Sequence, residues 1–233
     1  NNVSVGAGGN LGANTTGADN TALGYAALSA NTTAINNTAV GQGALGANTT
    51  ASYGTAVGMR SLEANTTGAN NAAFGWGALL KNTTAANNTG LGRSSLAENT
   101  TGGDNTGVGF SALYTNSTGY RNTAVGKDAL SGNTTASNNT AVGKSSLQVN
   151  TTGAQNTAVG AGALTANTTA SNNTAIGYQS MDANTTGANN TAVGINSLGA
   201  NTTGQSNVAM GYHAAVSATT AANNVVIGFT AGH

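Results

Sequence analysis

Few side chains in this 233-residue chain carry reactive chemistry. It has two histidines, six acidic residues and no cysteine. No carboxylate pair recurs at a fixed spacing, so neither a nucleophile with its base nor a metal-ligand set can be assembled. His213 falls at a variable position and His233 is the final residue, and both read as incidental. The Gly-x-Gly occurrences lack the strand and helix that a phosphate loop needs. An enzyme is not expected, nor a cofactor or metal. The chemistry that remains is contact. One column of residues, each following a glycine, reads Tyr25, Gln42, Met59, Trp76, Arg93, Phe110, Lys127, Lys144, Ala161, Tyr178, Ile195, Tyr212 and Phe229. It holds six of the chain's aromatics, which number one Trp, six Tyr and three Phe in all. Aromatic and cationic groups side by side compose a contact surface. All of the column except Gln42 and Ala161 is the candidate contact stripe, covering either a subunit or coil-edge interface or a bound ligand.

A strict repeat must position that stripe. The glycines preceding it, Gly24, Gly41, Gly58 and onward to Gly228, all lie 17 residues apart. Just before them runs an apolar column (Leu23, Val40, Val57, Phe74 and so on), and three residues before each Asn-Thr-Thr stands a second (Leu28, Leu45, Leu62 to Leu198, with Met181). Register this strict has no place in a disordered tract, whereas stacked copies of one unit require it. Gly6 lies 18 residues before Gly24, one more than the period. The chain therefore reads as one repeat domain, 1–233, with an irregular first coil (1–19), regular repeats (20–223) and a partial terminal coil (224–233).

Thr-Ala-Val is a β-favouring run closed by Gly, Ala-Leu is expected to make a second short segment, and Asn-Thr-Thr-Gly supplies turn chemistry. Glycine on a fixed column together with abundant Asn and Thr excludes a helical repeat. The fold expected is all-β: a β-solenoid or β-roll of about thirteen 17-residue coils, stacked at about 4.8 Å. Val over Val and Leu over Leu would form the core. Two asparagine columns, Asn31 to Asn201 and Asn71 to Asn224, would form amide ladders, and the same residues would serve the left-handed turns. Triplets such as Asn14-Thr15-Thr16 also match a glycosylation acceptor. So little apolar area per coil makes association of several chains a natural remedy, and two arrangements are open: a narrow single-chain β-solenoid, or a bundle of chains that share a core along the fibre axis.

Six basic and six acidic residues argue against a nucleic-acid partner, and no apolar run is long enough to span a bilayer. Asn1 follows no charged-then-apolar leader, as expected of a processed chain or an excised segment.

Asn-Thr-Ala-Val-Gly at 37–41, 122–126, 139–143, 156–160 and 190–194, followed by Ala/Ser-Leu and Asn-Thr-Thr-Gly/Ala, resembles the repeats of phage tail-fibre-like proteins. It is similar, more loosely, to the β-roll heads of trimeric autotransporter adhesins. The resemblance covers nearly the whole chain. It implies an extracellular, cell-surface or virion fibre, commonly a homotrimer, with a structural or adhesive role.

Self-association into a trimer or filament is expected, aided by apolar ends at Val3, Val5, Val226 and Phe229. A cell-surface glycan is a further candidate partner. The alternative function is an ice-binding or glycan-binding β-solenoid, since Thr21, Thr38, Thr55, Thr89, Thr106, Thr123, Thr140, Thr157, Thr174 and Thr191 form one rank. The paired threonines after each Asn should point to opposite faces, so a flat array of two threonine ranks is not expected.

Overall fold

The computed structural model describes residues 1–232, and His233 lies outside them. The chain divides into two compact units, Asn1–Gly119 and Tyr120–His233. Each is a β-solenoid with one three-residue strand per coil, and the described residues contain no helix. The first unit holds β1 (Val3–Val5), β2 (Thr21–Leu23), β3 (Thr38–Val40), β4 (Thr55–Val57), β5 (Ala72–Phe74), β6 (Thr89–Leu91) and β7 (Thr106–Val108). The second holds β8 (Thr123–Val125), β9 (Thr140–Val142), β10 (Thr157–Val159), β11 (Thr174–Ile176), β12 (Thr191–Val193), β13 (Val208–Met210) and β14 (Val225–Ile227). Within each unit every strand pairs in parallel with the strands of the adjacent coils, position on position and mostly like on like, as in Thr38↔Thr55 and Val40↔Val57, with exceptions such as Thr55↔Ala72 and Thr191↔Val208. β1 pairs with β2 as Val3↔Thr21. The additional residue of the first coil is thus absorbed outside the strand, in the stretch where Gly8 (φ 81°) and Gly9 (φ 76°) stand.

The strand alternation sends Thr and Val outward and the central Ala inward. Ala39, Ala56 and Ala141 are fully buried, whereas Leu91, Val142 and Ile176 are exposed. This corrects the expectation that the Val column lies in the core. The interior is narrow, and the leucine column fills it. A Cβ added at Gly90, a strand-centre position, would lie 3.3 Å from Leu79 Cγ, so only a methyl fits between strand and leucine. Valine there would overpack, which costs about 1–3 kcal/mol.

The Ala-Leu segment is a turn and not a second strand. Leu28 through Leu198, with Met181, adopt φ between 49° and 54°. A left-handed non-glycine residue costs about 1–2 kcal/mol. Burying the leucine returns about 1.5–3 kcal/mol, and the backbone there is also bonded between coils, as Leu147 N–H donates to Ala163 O at 3.0 Å. Burial wins, and it wins in every coil.

Asparagine carries the polar half of the core. In the first column each side chain donates to its counterpart one coil earlier, as Asn65 Nδ2 to Asn48 Oδ1 at 3.1 Å, and to a carbonyl three residues on, Gly68 O at 3.0 Å. These are the amide ladders expected. The second column bonds chiefly to backbone. Asn139 Oδ1 accepts the Asn156 N–H at 2.9 Å, and Asn139 Nδ2 donates to Gly153 O at 3.0 Å. Left-handed turns and ladders also fall to different residues, because Asn70, Asn87 and Asn138 (φ 59–62°) each precede a ladder asparagine. Turn geometry aims a side chain outward, whereas a ladder needs it inside. Burial and internal bonding of Asn31, Asn48, Asn65 and their counterparts remove them as glycosylation acceptors in the folded chain.

Candidate contact surface

Each strand ends at a glycine that turns the chain toward the stripe. Gly143 has φ 131°, and a Cβ on it would lie 2.6 Å from the carbonyl carbon and oxygen of Gly160 in the next coil. No other residue fits. Immediately beyond these glycines, Tyr25, Met59, Trp76, Arg93 and Phe110 in the first unit are all exposed. In the second unit so are Lys127, Lys144, Tyr178, Ile195, Tyr212 and Phe229.

Because the Val column also faces outward, two outward-facing columns, with members exposed or half-buried, run side by side, separated only by the glycine. In the first unit Phe74 is 40% exposed and Trp76 40%, with Leu91 and Phe110 nearby in their columns. In the second unit Ile176 stands beside Tyr178 and Met210 beside Tyr212, all exposed. Exposed apolar side chains grouped in this way are the kind of feature an interaction surface is built from.

The stripe residues of neighbouring coils touch. The Arg93 guanidinium lies 5.2 Å from the Trp76 ring and 5.8 Å from Phe110, one coil to either side, within cation–π range. Tyr212 stacks on Phe229 at 5.2 Å and on His213 at 4.1 Å. His213 Nε2 also lies 3.1 Å from Asn196 Nδ2, so it is held by neighbours on the surface. Arg60 pairs with Glu63 at 2.7 Å and Lys81 with Glu98 at 2.5 Å. The hydrogen bond to Glu98, with its charge, raises the Lys81 pKa. Partial burial raises that of Asp182.

Two surface hollows open beside the stripe, at the two column positions outside it, Gln42 and Ala161. One, of about 320 Å³, is lined by Tyr25, Gln42, Gly43, Met59, Arg60 and Glu63. The other, of about 190 Å³, is lined by Lys144, Ala161, Gly162 and Tyr178 among others. A third cavity, of about 230 Å³, is apolar and lies among Leu198, Ala209, Ala215, Ala218 and Val226. It forms where Ala215 occupies the leucine column and Ala218 the asparagine column. Among the described residues no three His, Asp or Glu side chains converge as a metal site would need. Nor is any helix long and apolar enough to cross a membrane.

Comparison with protein-family models, with curated proteins and with solved structures finds no match to the chain.

One further surface is formed by the strands themselves. The outward face of the strands pairs a threonine rank with an aliphatic rank. Period-two alternation within Thr-Ala-Val would have placed both on one face once Ala was assigned to the interior. The Asn-Thr-Thr pairs behave as expected: the Thr49 hydroxyl donates to Thr66 O at 3.1 Å, while Thr50 is exposed.

Proposed function

We propose that this chain is a structural element of an extracellular fibre that adheres to a surface through the residues following the turn glycines, with glycans as the class bound. The observation that carries this reading is the run of exposed aromatic and apolar side chains in two adjoining columns. A spacer needs only a solvated surface, whereas exposed tyrosine, tryptophan and arginine are where interface energy concentrates. The hollow beside Tyr25 joins an aromatic face to the polar groups of Gln42, Arg60 and Glu63. That combination suits a sugar, whose C–H face stacks on a ring while its hydroxyls take hydrogen bonds. The likeness of the repeat to phage tail-fibre-like proteins supports the placement outside the cell. Several copies lie together in the fibre, as a trimer or a filament, because each coil buries only one large apolar side chain.

Binding of the purified chain to a glycan array tests the adhesive part. Tyr25→Ala and Trp76→Ala should each weaken the signal while leaving the melting temperature unchanged. Retention of full binding by both variants, or no binding by the parent to glycans and cell surfaces alike, overturns it. Sedimentation velocity tests the assembly, and a monomer at every concentration would remove it.

A further inference from the structure

We propose that the outer face of β8–β12 in the second unit binds ordered water at an ice surface. Five successive strands present Thr at their first position and a β-branched aliphatic residue at their third. Their pairing is residue on residue, Thr140↔Thr157 and Val142↔Val159 being typical. Each rank therefore repeats at about 4.8 Å between strands, and the two ranks stand about 6.6 Å apart along each strand. The result is a regular grid of hydroxyl and methyl groups whose spacing between strands is close to that of water oxygens along an ice lattice.

Three observations favour water over another occupant. The hydroxyls are unspent: among the described residues, those of Thr140, Thr157 and Thr174 make no hydrogen bond within the chain. The first threonines of the Asn-Thr-Thr triplets differ, as Thr151 and Thr168 donate across to the next coil at 3.0 and 3.2 Å. Both ranks are β-branched and so stiff at χ1, which holds the grid without an ordering cost on binding. No charged or aromatic residue lies within these strands. A second copy of the chain or another protein is a poor fit by area. Five strands at about 4.8 Å and three residues at about 3.3 Å give roughly 240 Å², against about 800 Å² per partner for a stable interface. A crystal face repeats the grid indefinitely and adds many small contacts without needing depth.

The first unit supplies the internal control. Its threonine rank is interrupted by Ala72, and its aliphatic rank carries Phe74, Leu23 and Leu91. The hydroxyl rank is thus broken midway and the companion rank is uneven in height.

Thermal hysteresis and ice-recrystallisation inhibition of the purified chain test the proposal, with circular dichroism confirming the fold of each variant. The parent should show both effects. Thr157→Lys, on the central strand, should lose most of the activity, and Thr55→Lys in the first unit should retain it. Absence of both effects in the parent, or full activity in Thr157→Lys, overturns the assignment. So does a concentration-dependent dimer that Thr157→Lys abolishes without any hysteresis, which would give the face to a second copy. Glycan binding through Tyr25 and Trp76 is a separate readout, so failure of either reading leaves the other standing.

Discussion

The side-chain oxygen of Asn201 is buried with no hydrogen-bond donor, because the residue one coil further on, where the preceding coils place an asparagine amide, is Ala218. Asn201 itself donates correctly to Asn184 Oδ1 at 2.8 Å and to Gly204 O at 3.1 Å. The ladder thus ends on an unpaired acceptor, which costs about 1–3 kcal/mol. Ala218→Asn restores the donor. We expect it to raise stability by about 1–2 kcal/mol, read as a higher denaturant midpoint at unchanged slope. An unchanged or lower midpoint would mean that water already satisfies the oxygen.

The leucine column makes an unusual forecast about glycine. Leu147 is fully buried with φ 49°, and truncation to Ala should cost about 2–5 kcal/mol through the cavity left behind. Glycine is ordinarily worse than alanine in ordered structure by about 0.5–1 kcal/mol. Here alanine must still bear the left-handed strain that glycine escapes. Leu147→Gly should therefore be no less stable than Leu147→Ala. A Gly variant that unfolds clearly earlier would show that the turn backbone is not strained.

The repeat, its period and its β character were legible because stacking demands like residues at like positions, and Gly41, Leu45 and Asn48 recur one period later as Gly58, Leu62 and Asn65. The direction of the strand was not. Val and Leu columns are equally regular, and hydrophobicity alone assigns both to the interior; only the width of the lumen, already taken by leucine, turns Val142 outward. The left-handed turns at leucine were also hidden, since propensity favours a polar residue or glycine there and tertiary burial overrides it. The contact column after the turn glycines was readable as the variable place in an otherwise invariant block. Its second exposed neighbour was not, because a regular valine column has the hydrophobicity of a core column.

Partial burial raises the pKa of the Asp182 carboxyl above its ordinary value, partly offset by backbone hydrogen bonds. Its folded pKa exceeds the unfolded one, so folding favours the protonated form. The stability it contributes is fully present below the unfolded value, near 3.8, and is lost as pH rises through the folded value. Asp182→Asn should therefore melt higher than the parent at neutral pH, with the difference vanishing below that value. A variant that melts lower than the parent at neutral pH would sink this account.

Two glycines in adjacent coils of the second unit should respond very unequally to the same added methyl. At Gly143 the backbone lies at φ 131°, and a Cβ would sit 2.6 Å from backbone atoms of Gly160, which cannot rotate away. The coils would have to part, straining parallel ladder bonds such as Gly160 N–H to Val142 O at 2.8 Å. At Gly162 φ is 71°, and the nearest atom is Gln179 Cγ at 3.3 Å, part of a flexible side chain. The equivalent positions already hold Ser145 (φ 57°) and Gln179 (φ 51°). Gly143→Ala should cost several kcal/mol or prevent folding, comparable to the largest single-site effects. Gly162→Ala should stay within about 1 kcal/mol, because the restriction it places on the unfolded chain offsets much of the left-handed strain. Equal losses in the two variants, measured by denaturant unfolding, would show that conformational preference for glycine governs both sites and that the close approach between coils does not.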